Sequence, residues 1–270
     1  MIKRLRVLEI AGAQVQVFDT PANASEAAAS DVRQAIRISV QATGKAVLGL
    51  ATGRTPERVY AHLVESHRAG SLSFRGVSTY NLDEYYPMGP LDPASYRTYM
   101  HRHLFGHVDL APNRCHVLDG TVPEAFAADH CAQFDRWIAA EGGIDLQLLG
   151  LGRNGHIGFN EPTNLPLERA VGLPTRGVDL HAVTIFDAAA EFGGEANVPR
   201  RALTMGVATI LAARSVVVLA FGEAKAQAVA ASLQGPITAE VPGSLLRTIP
   251  GKVAWMIDQA AASRIADVGL

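Results

Sequence analysis

Leu148-Leu149-Gly150-Leu151-Gly152-Arg153-Asn154-Gly155-His156-Ile157-Gly158-Phe159-Asn160-Glu161-Pro162 is the stretch that decides how this chain is built. Residues 144–149, with Ile144, Leu146, Leu148 and Leu149, read as a buried strand, and the glycines and asparagine that follow bend the backbone at its carboxyl end. In an open parallel sheet, ligands sit beyond that end of the strands. His156 and Glu161 therefore stand where chemistry is expected.

Gly150, Gly152 and Gly155 also spell G-x-G-x-x-G after a strand. That pattern signifies a dinucleotide site only when a helix follows and an acidic residue ends the next strand about 20 residues on. Pro162 and Pro166 leave little room for such a helix, so the dinucleotide reading is set aside.

Working outward, residues 46–50, 77–82, 115–118, 252–257 and the uninterrupted apolar run 215–220 read as further strands. Helical periodicity or alanine-rich sequence covers residues 22–41, 56–69, 95–105, 123–141, 202–211, 223–233 and a segment from Asp258, and residues 5–18 read as one or two short strands. Residues 163–175 are irregular, a place for a lid or a partner contact. Alternating strands and helices without a linker or repeat predict an α/β fold in one domain spanning residues 1–270, with a doubly wound, mostly parallel sheet and helices on both faces.

Composition narrows the function. A net charge of −2 and a pI near 6.5 give no electrostatic footprint for nucleic acid. No run approaches the ~20 apolar residues of a membrane span, and residues 1–18 lack the apolar core of a signal peptide. Cys115 and Cys131 form no C-x-x-C pair, which argues against a disulfide framework and for a reducing, cytoplasmic location. His101, His103 and His107 lack the third and fourth ligands at motif spacing that zinc requires, so they read as surface histidines and no metal is expected.

Four predicted strand ends carry polar or glycine-rich turns. After residue 50 come Thr52, Gly53, Arg54, Thr55 and Pro56, read as a capped helix start whose unpaired amides suit an anion such as phosphate. After residue 82 come Asp83 and Glu84, which composition alone places in a solvated turn. After residue 150 come Gly152, Asn154, His156 and Glu161. After residue 220 comes Lys225 in the first turn of a helix, where a cation opposes the helix dipole unless an anion shares the site.

The run G-x-G-x-N-G-H-I-x-F-N-E-P at residues 150–162 is similar to the signature of the glucosamine-6-phosphate deaminase family. The loop T-G-R-T-P at 52–56, the segment N-L-D-E-Y at 81–85, S-Y-x-x-x-M at 95–100 and F-G-x-x-K at 221–225 resemble other family segments in the same order. The resemblance implies a Rossmann-like fold, no cofactor, and conversion of an amino sugar phosphate to fructose 6-phosphate and ammonia. It implies that His156, oriented by Glu161 and Asn154, assists ring opening, and that Asp83 moves a proton from C2 to C1. It also implies that Gly53, Arg54, Thr55 and Lys225 hold the phosphate, with Thr52, Glu84 and Gly152 near the sugar.

Two departures stand out. Asn154 replaces an aspartate found in many members, and the segment 163–198 does not follow the family's arginine-containing runs. Arg169 or Arg176 is left as a substitute phosphate ligand, and no activation by N-acetylglucosamine 6-phosphate is expected. Three rivals remain: a galactosamine-6-phosphate deaminase, a 6-phosphogluconolactonase, whose family continues differently where Asn160, Glu161 and Pro162 stand here, and a non-catalytic sugar-phosphate sensor. Homo-oligomerisation stays open.

Overall fold

A computed structural model of the chain describes residues 2–266. In chain order the elements are β1 (Arg4–Ile10), β2 (Ala13–Phe18), α1 (Pro21–Thr43), β3 (Ala46–Leu50), α2 (Glu57–Arg68), β4 (Val77–Asn81), β5 (Asp83–Tyr86), α3 (Tyr96–His103), β6 (Cys115–His116) and α4 (Glu124–Ala140). They continue with β7 (Leu146–Gly150), α5 (Leu167–Val171), β8 (Arg176–Asp179), α6 (Ala182–Ala188), β9 (Arg201–Thr204), α7 (Val207–Ala212), β10 (Ser215–Ala220), α8 (Ala226–Gln234) and β11 (Val253–Asp258).

Eight strands form one sheet in the order β1-β2-β11-β10-β7-β3-β4-β6. Only the β1–β2 hairpin is antiparallel; every other neighbour runs parallel. From β3 the chain moves outward through β4 to β6, and it then returns to place β7 on the other side of β3. The strand order therefore reverses between β3 and β7, and the loops leaving those two strands diverge over a crevice.

Alternation along the strands divides the core in two. Leu48, Leu146, Leu148 and Val217 face α1 and α2, where Val32, Ile36, Tyr60 and Leu63 are buried. Val47, Leu149, Val216 and Val218 face α4, α7 and α8, where Phe134, Ile210 and Val229 are buried. Burial on both faces explains the apolar runs that made these strands legible. Local signals fix the first helix: the Thr20 hydroxyl accepts the Asn23 amide at 3.2 Å, and Gly44 ends the helix with φ +77°.

Three expectations are corrected. Asp83 and Glu84 are not in a turn: they open β5, which with β9 and β8 makes a small antiparallel sheet in the order β5-β9-β8. Residues 202–211 are not one helix but the strand β9 and the helix α7. Gly206 separates the two, because a Cβ there would lie 2.2 Å from the Leu173 carbonyl oxygen. Residues 259–264 after β11 are turns instead of a helix. Among the described residues no helix is long and apolar enough to cross a membrane.

Candidate active site

The crevice at the strand reversal holds a cavity of about 380 Å³. Thr52, Gly53, Arg54, Thr55, Asp83, Gly152, His156 and Lys225, all picked out from sequence, line it. Asn154 and Glu161 stand behind His156, and Glu84 lies outside the cavity.

Asp83 reaches the cavity because the chain changes sheets beside it. The Leu82 amide still donates to the Leu50 carbonyl at 3.0 Å, as a continuation of β4 beside β3, whereas the Leu82 carbonyl accepts the Met205 amide at 2.6 Å. Asp83 then pairs with Thr204 in the small sheet. The residue is only 5 % exposed. Burial first, and then the neighbouring charge of Glu84, push its pKa up to about 8 against an opposing hydrogen bond from Thr52. A carboxylate poised there can take up and return a proton near neutral pH.

Glu84 points the other way. Its Oε1 accepts the amides of Tyr85 and Tyr96, each at 3.0 Å, and its Oε2 accepts the Ser95 hydroxyl at 2.7 Å and the Arg97 amide at 3.2 Å. This carboxylate caps α3, and its acceptor positions are engaged without a ligand. The sugar contact expected of Glu84 is therefore replaced by a role in holding the helix that brings Tyr96 to the cavity.

The loop after β7 folds back on itself: the Gly152 amide donates to the His156 carbonyl at 2.9 Å. The imidazole then lies across Gly152, where a Cβ would come within 2.4 Å of the ring, so only glycine fits. His156 Nδ1 stands 3.3 Å from Glu161 Oε2 and 3.3 Å from Thr184 Oγ1. Those contacts leave Nε2 as the nitrogen available to a ligand.

Glu161 is itself held by the Thr184 hydroxyl at 2.6 Å, the Asn154 amide group at 2.9 Å and the His181 backbone amide at 3.2 Å. Burial works against its charge, yet the bonds from His156, Thr184 and Asn154 bring its pKa down to about 2. Asn154 touches the imidazole only through this carboxylate, and its Oδ1 accepts the His156 backbone amide at 3.2 Å.

The β3 loop differs in detail from the expected cap. Pro56 occupies the cap position and no side chain caps α2, so Thr55 is free of that duty. Gly53 has φ +87°, a left-handed conformation that turns the loop into the cavity. The amides of Gly53, Arg54 and Thr55 donate to no group among the described residues. The Arg54 guanidinium sits at the rim, 75 % exposed and 4.0 Å from Glu191. Burial holds the Lys225 ammonium below its ordinary range, with Arg153 adding to the effect and Asp187 opposing it.

Arg169 and Arg176 do not line the cavity. Arg176 Nη1 donates to Asn160 Oδ1 at 2.8 Å and to the Pro174 carbonyl at 3.3 Å. Sequence reasoning missed four lining residues from the segment around α6: Thr184, Asp187, Ala188 and Glu191. Their i, i+3, i+4, i+7 spacing was the available sign that one face of this segment is turned inward. Tyr85, Tyr96 and Phe159 supply an aromatic wall. Among the described residues no cluster of His, Cys, Asp and Glu is arranged to hold a metal ion.

Comparison with known proteins places the chain in a family. Residues 19–255 match the family model for glucosamine-6-phosphate isomerases/6-phosphogluconolactonase. A glucosamine-6-phosphate deaminase of Rhodopirellula baltica is 48% identical over 238 residues, covering 88% of this chain and 92% of that protein. Glucosamine-6-phosphate deaminase 2 of Bacillus subtilis is 42% identical over 232 residues, covering 85% and 90%. The solved structure of a monomeric glucosamine-6-phosphate deaminase superposes with a TM-score of 0.85 at 37% identity, covering 93% of this chain and 99% of that one. The 6-phosphogluconolactonase of Trypanosoma brucei has a TM-score of 0.76 at 21% identity, covering 93% and 98%, and shares the fold alone. With the sheet, the strand reversal and the glycine-histidine loop in place, the chain belongs to the glucosamine-6-phosphate isomerase/6-phosphogluconolactonase family.

Proposed function

We propose that the chain is a glucosamine-6-phosphate deaminase, converting glucosamine 6-phosphate and water to fructose 6-phosphate and ammonia. The observation that carries the reading is that a buried carboxylate with a pKa near 8 and an imidazole backed by an ionised glutamate share one cavity with a lysine and an amide-rich loop.

His156 Nε2 moves a proton at the ring oxygen and opens the pyranose, while Glu161 stabilises the imidazolium form through Nδ1. Asp83 then takes the C2 proton, giving an enolamine, and returns it to C1. The double bond is now between C2 and nitrogen. Water adds at C2 and ammonia leaves, which completes the ketose. Lys225 and the amides of residues 53–55 hold the 6-phosphate, so that C1 and C2 meet Asp83 in a reactive orientation.

Ammonia release from glucosamine 6-phosphate and galactosamine 6-phosphate, measured in parallel on the wild type and on Asp83→Asn, tests this. The expected result is turnover of the glucosamine ester that the Asn variant loses. Absence of ammonia from both sugars, or full turnover by the variant, overturns it. Hydrolysis of 6-phosphogluconolactone in place of deamination would reassign the site to the other branch of the family.

A further inference from the structure

We propose that Arg153, aimed by Asp187, is the second cationic ligand of the substrate phosphate, paired with Lys225. The inference rests on the deaminase reading for the identity of the anion, and it concerns a residue outside the segment in which an arginine was sought.

Arg153, Arg54 and Lys225 are the Arg and Lys side chains that line the cavity. Arg54 is drawn to the rim by Glu191, and Arg169 and Arg176 lie outside. Arg153 is built in differently. Its Nε donates to Asp187 Oδ2 at 2.9 Å and its Nη2 donates to Asp187 Oδ1, so one edge of the guanidinium is locked to α6. The Phe186 ring centroid lies 5.8 Å from the guanidinium carbon, within cation–π range. A side-on pair of that kind leaves the end-on edge, formed by Nη1 and the second hydrogen of Nη2, for another bidentate acceptor. Nη1 has no partner among the described residues. Two oxygens of a phosphate monoester match that fork.

Charge points the same way. Arg153 and Lys225 are two cations lining one cavity, Lys225 mostly buried and the Arg153 side chain 37 % exposed, and Asp187 compensates only one of them. The cluster keeps one positive charge, and the amides of residues 53–55 add donors without counter-charge. A phosphate monoester dianion completes both.

The rival explanation is that the Arg153 and Asp187 pair merely ties the β7 loop to α6. Kinetics with glucosamine 6-phosphate and calorimetric titration with inorganic phosphate, on wild type, Arg153→Met, Arg153→Lys and Asp187→Asn, separate the two. Loss of a charge-assisted contact weakens binding by roughly ten- to hundredfold. Arg153→Met should therefore lose phosphate affinity by that factor and lose kcat/KM chiefly through KM. Arg153→Lys should recover part of both, and Asp187→Asn should show a smaller loss because the fork is no longer aimed. Phosphate affinity within twofold of wild type in Arg153→Met overturns the proposal, as does tighter phosphate binding in Asp187→Asn, which would make Asp187 a competitor of the anion. Should the Met variant fail to fold, the Lys variant carries the same measurement, and phosphate affinity unchanged in it and in Asp187→Asn overturns the proposal too. The titration needs no turnover. A wild type that binds phosphate through Arg153 yet releases no ammonia would refute the deaminase reading and leave this ligand assignment intact.

Discussion

At the residue scale the protein's chemistry is a question of where protons rest. Asp83 is held near 8 by burial and by Glu84, so the acid-side limb of its pH–rate profile should rise toward that pH. Removing a general base costs about 10²–10⁴ in rate, and Asp83→Asn should lose kcat/KM by that order. The same variant carries a stability signature. A carboxyl whose pKa rises from 3.8 to about 8 on folding stabilises the native state fully below about 4 and progressively less as pH climbs to 8. The melting-temperature gain of Asp83→Asn over wild type should therefore grow between those pH values, and a gain independent of pH would contradict the assignment. Asn154 belongs to the same accounting of protons: its amide group donates to Glu161. Asn154→Asp puts a second carboxylate there, and like charges hold protons more tightly. The acid-side limb should move to higher pH, and pH–rate profiles that superimpose would remove this idea.

At the element scale, the strands of the large sheet were legible because double-sided burial demands continuous apolar residues, as in Val216, Val217 and Val218. The β5 strand was not. Two adjacent carboxylates ordinarily signal solvent, and nothing local to Asp83 and Glu84 announces that Ser95, Tyr96 and Arg97 will meet one of them with three donors. The break at Gly206 was equally silent, since its cause is a carbonyl at Leu173 far along the chain. The polar lining at the strand ends was readable, as with Thr52, Asp83, His156 and Lys225, whereas Arg153 sat within the quoted motif with no sign of its direction. Glu84→Gln turns an amide toward donors that need an acceptor, which should cost about 1–3 kcal/mol in urea denaturation. It also removes a charge beside Asp83, so the acid-side limb should shift to lower pH.

At the scale of the whole molecule, the cavity lies where strand order reverses and where two sheets meet. Ligand that binds only the folded state adds stability of about 2.7 kcal/mol at one hundred times its Kd. Fructose 6-phosphate should raise the melting temperature, unphosphorylated fructose should not, and Asp83→Asn should keep the phosphate-dependent shift. Equal shifts with both sugars would deny the phosphate its place in the cavity.

The ladder that joins Asp83 to Thr204, and Thr204 in turn to Arg176, has a separate implication. In the proposed mechanism the anion is held by loops that leave the parallel sheet, whereas Asp83 is aimed by strands more than ninety residues downstream. On that reading capture and conversion lean on different sheets, tied together by α6, whose Asp187 pairs with Arg153.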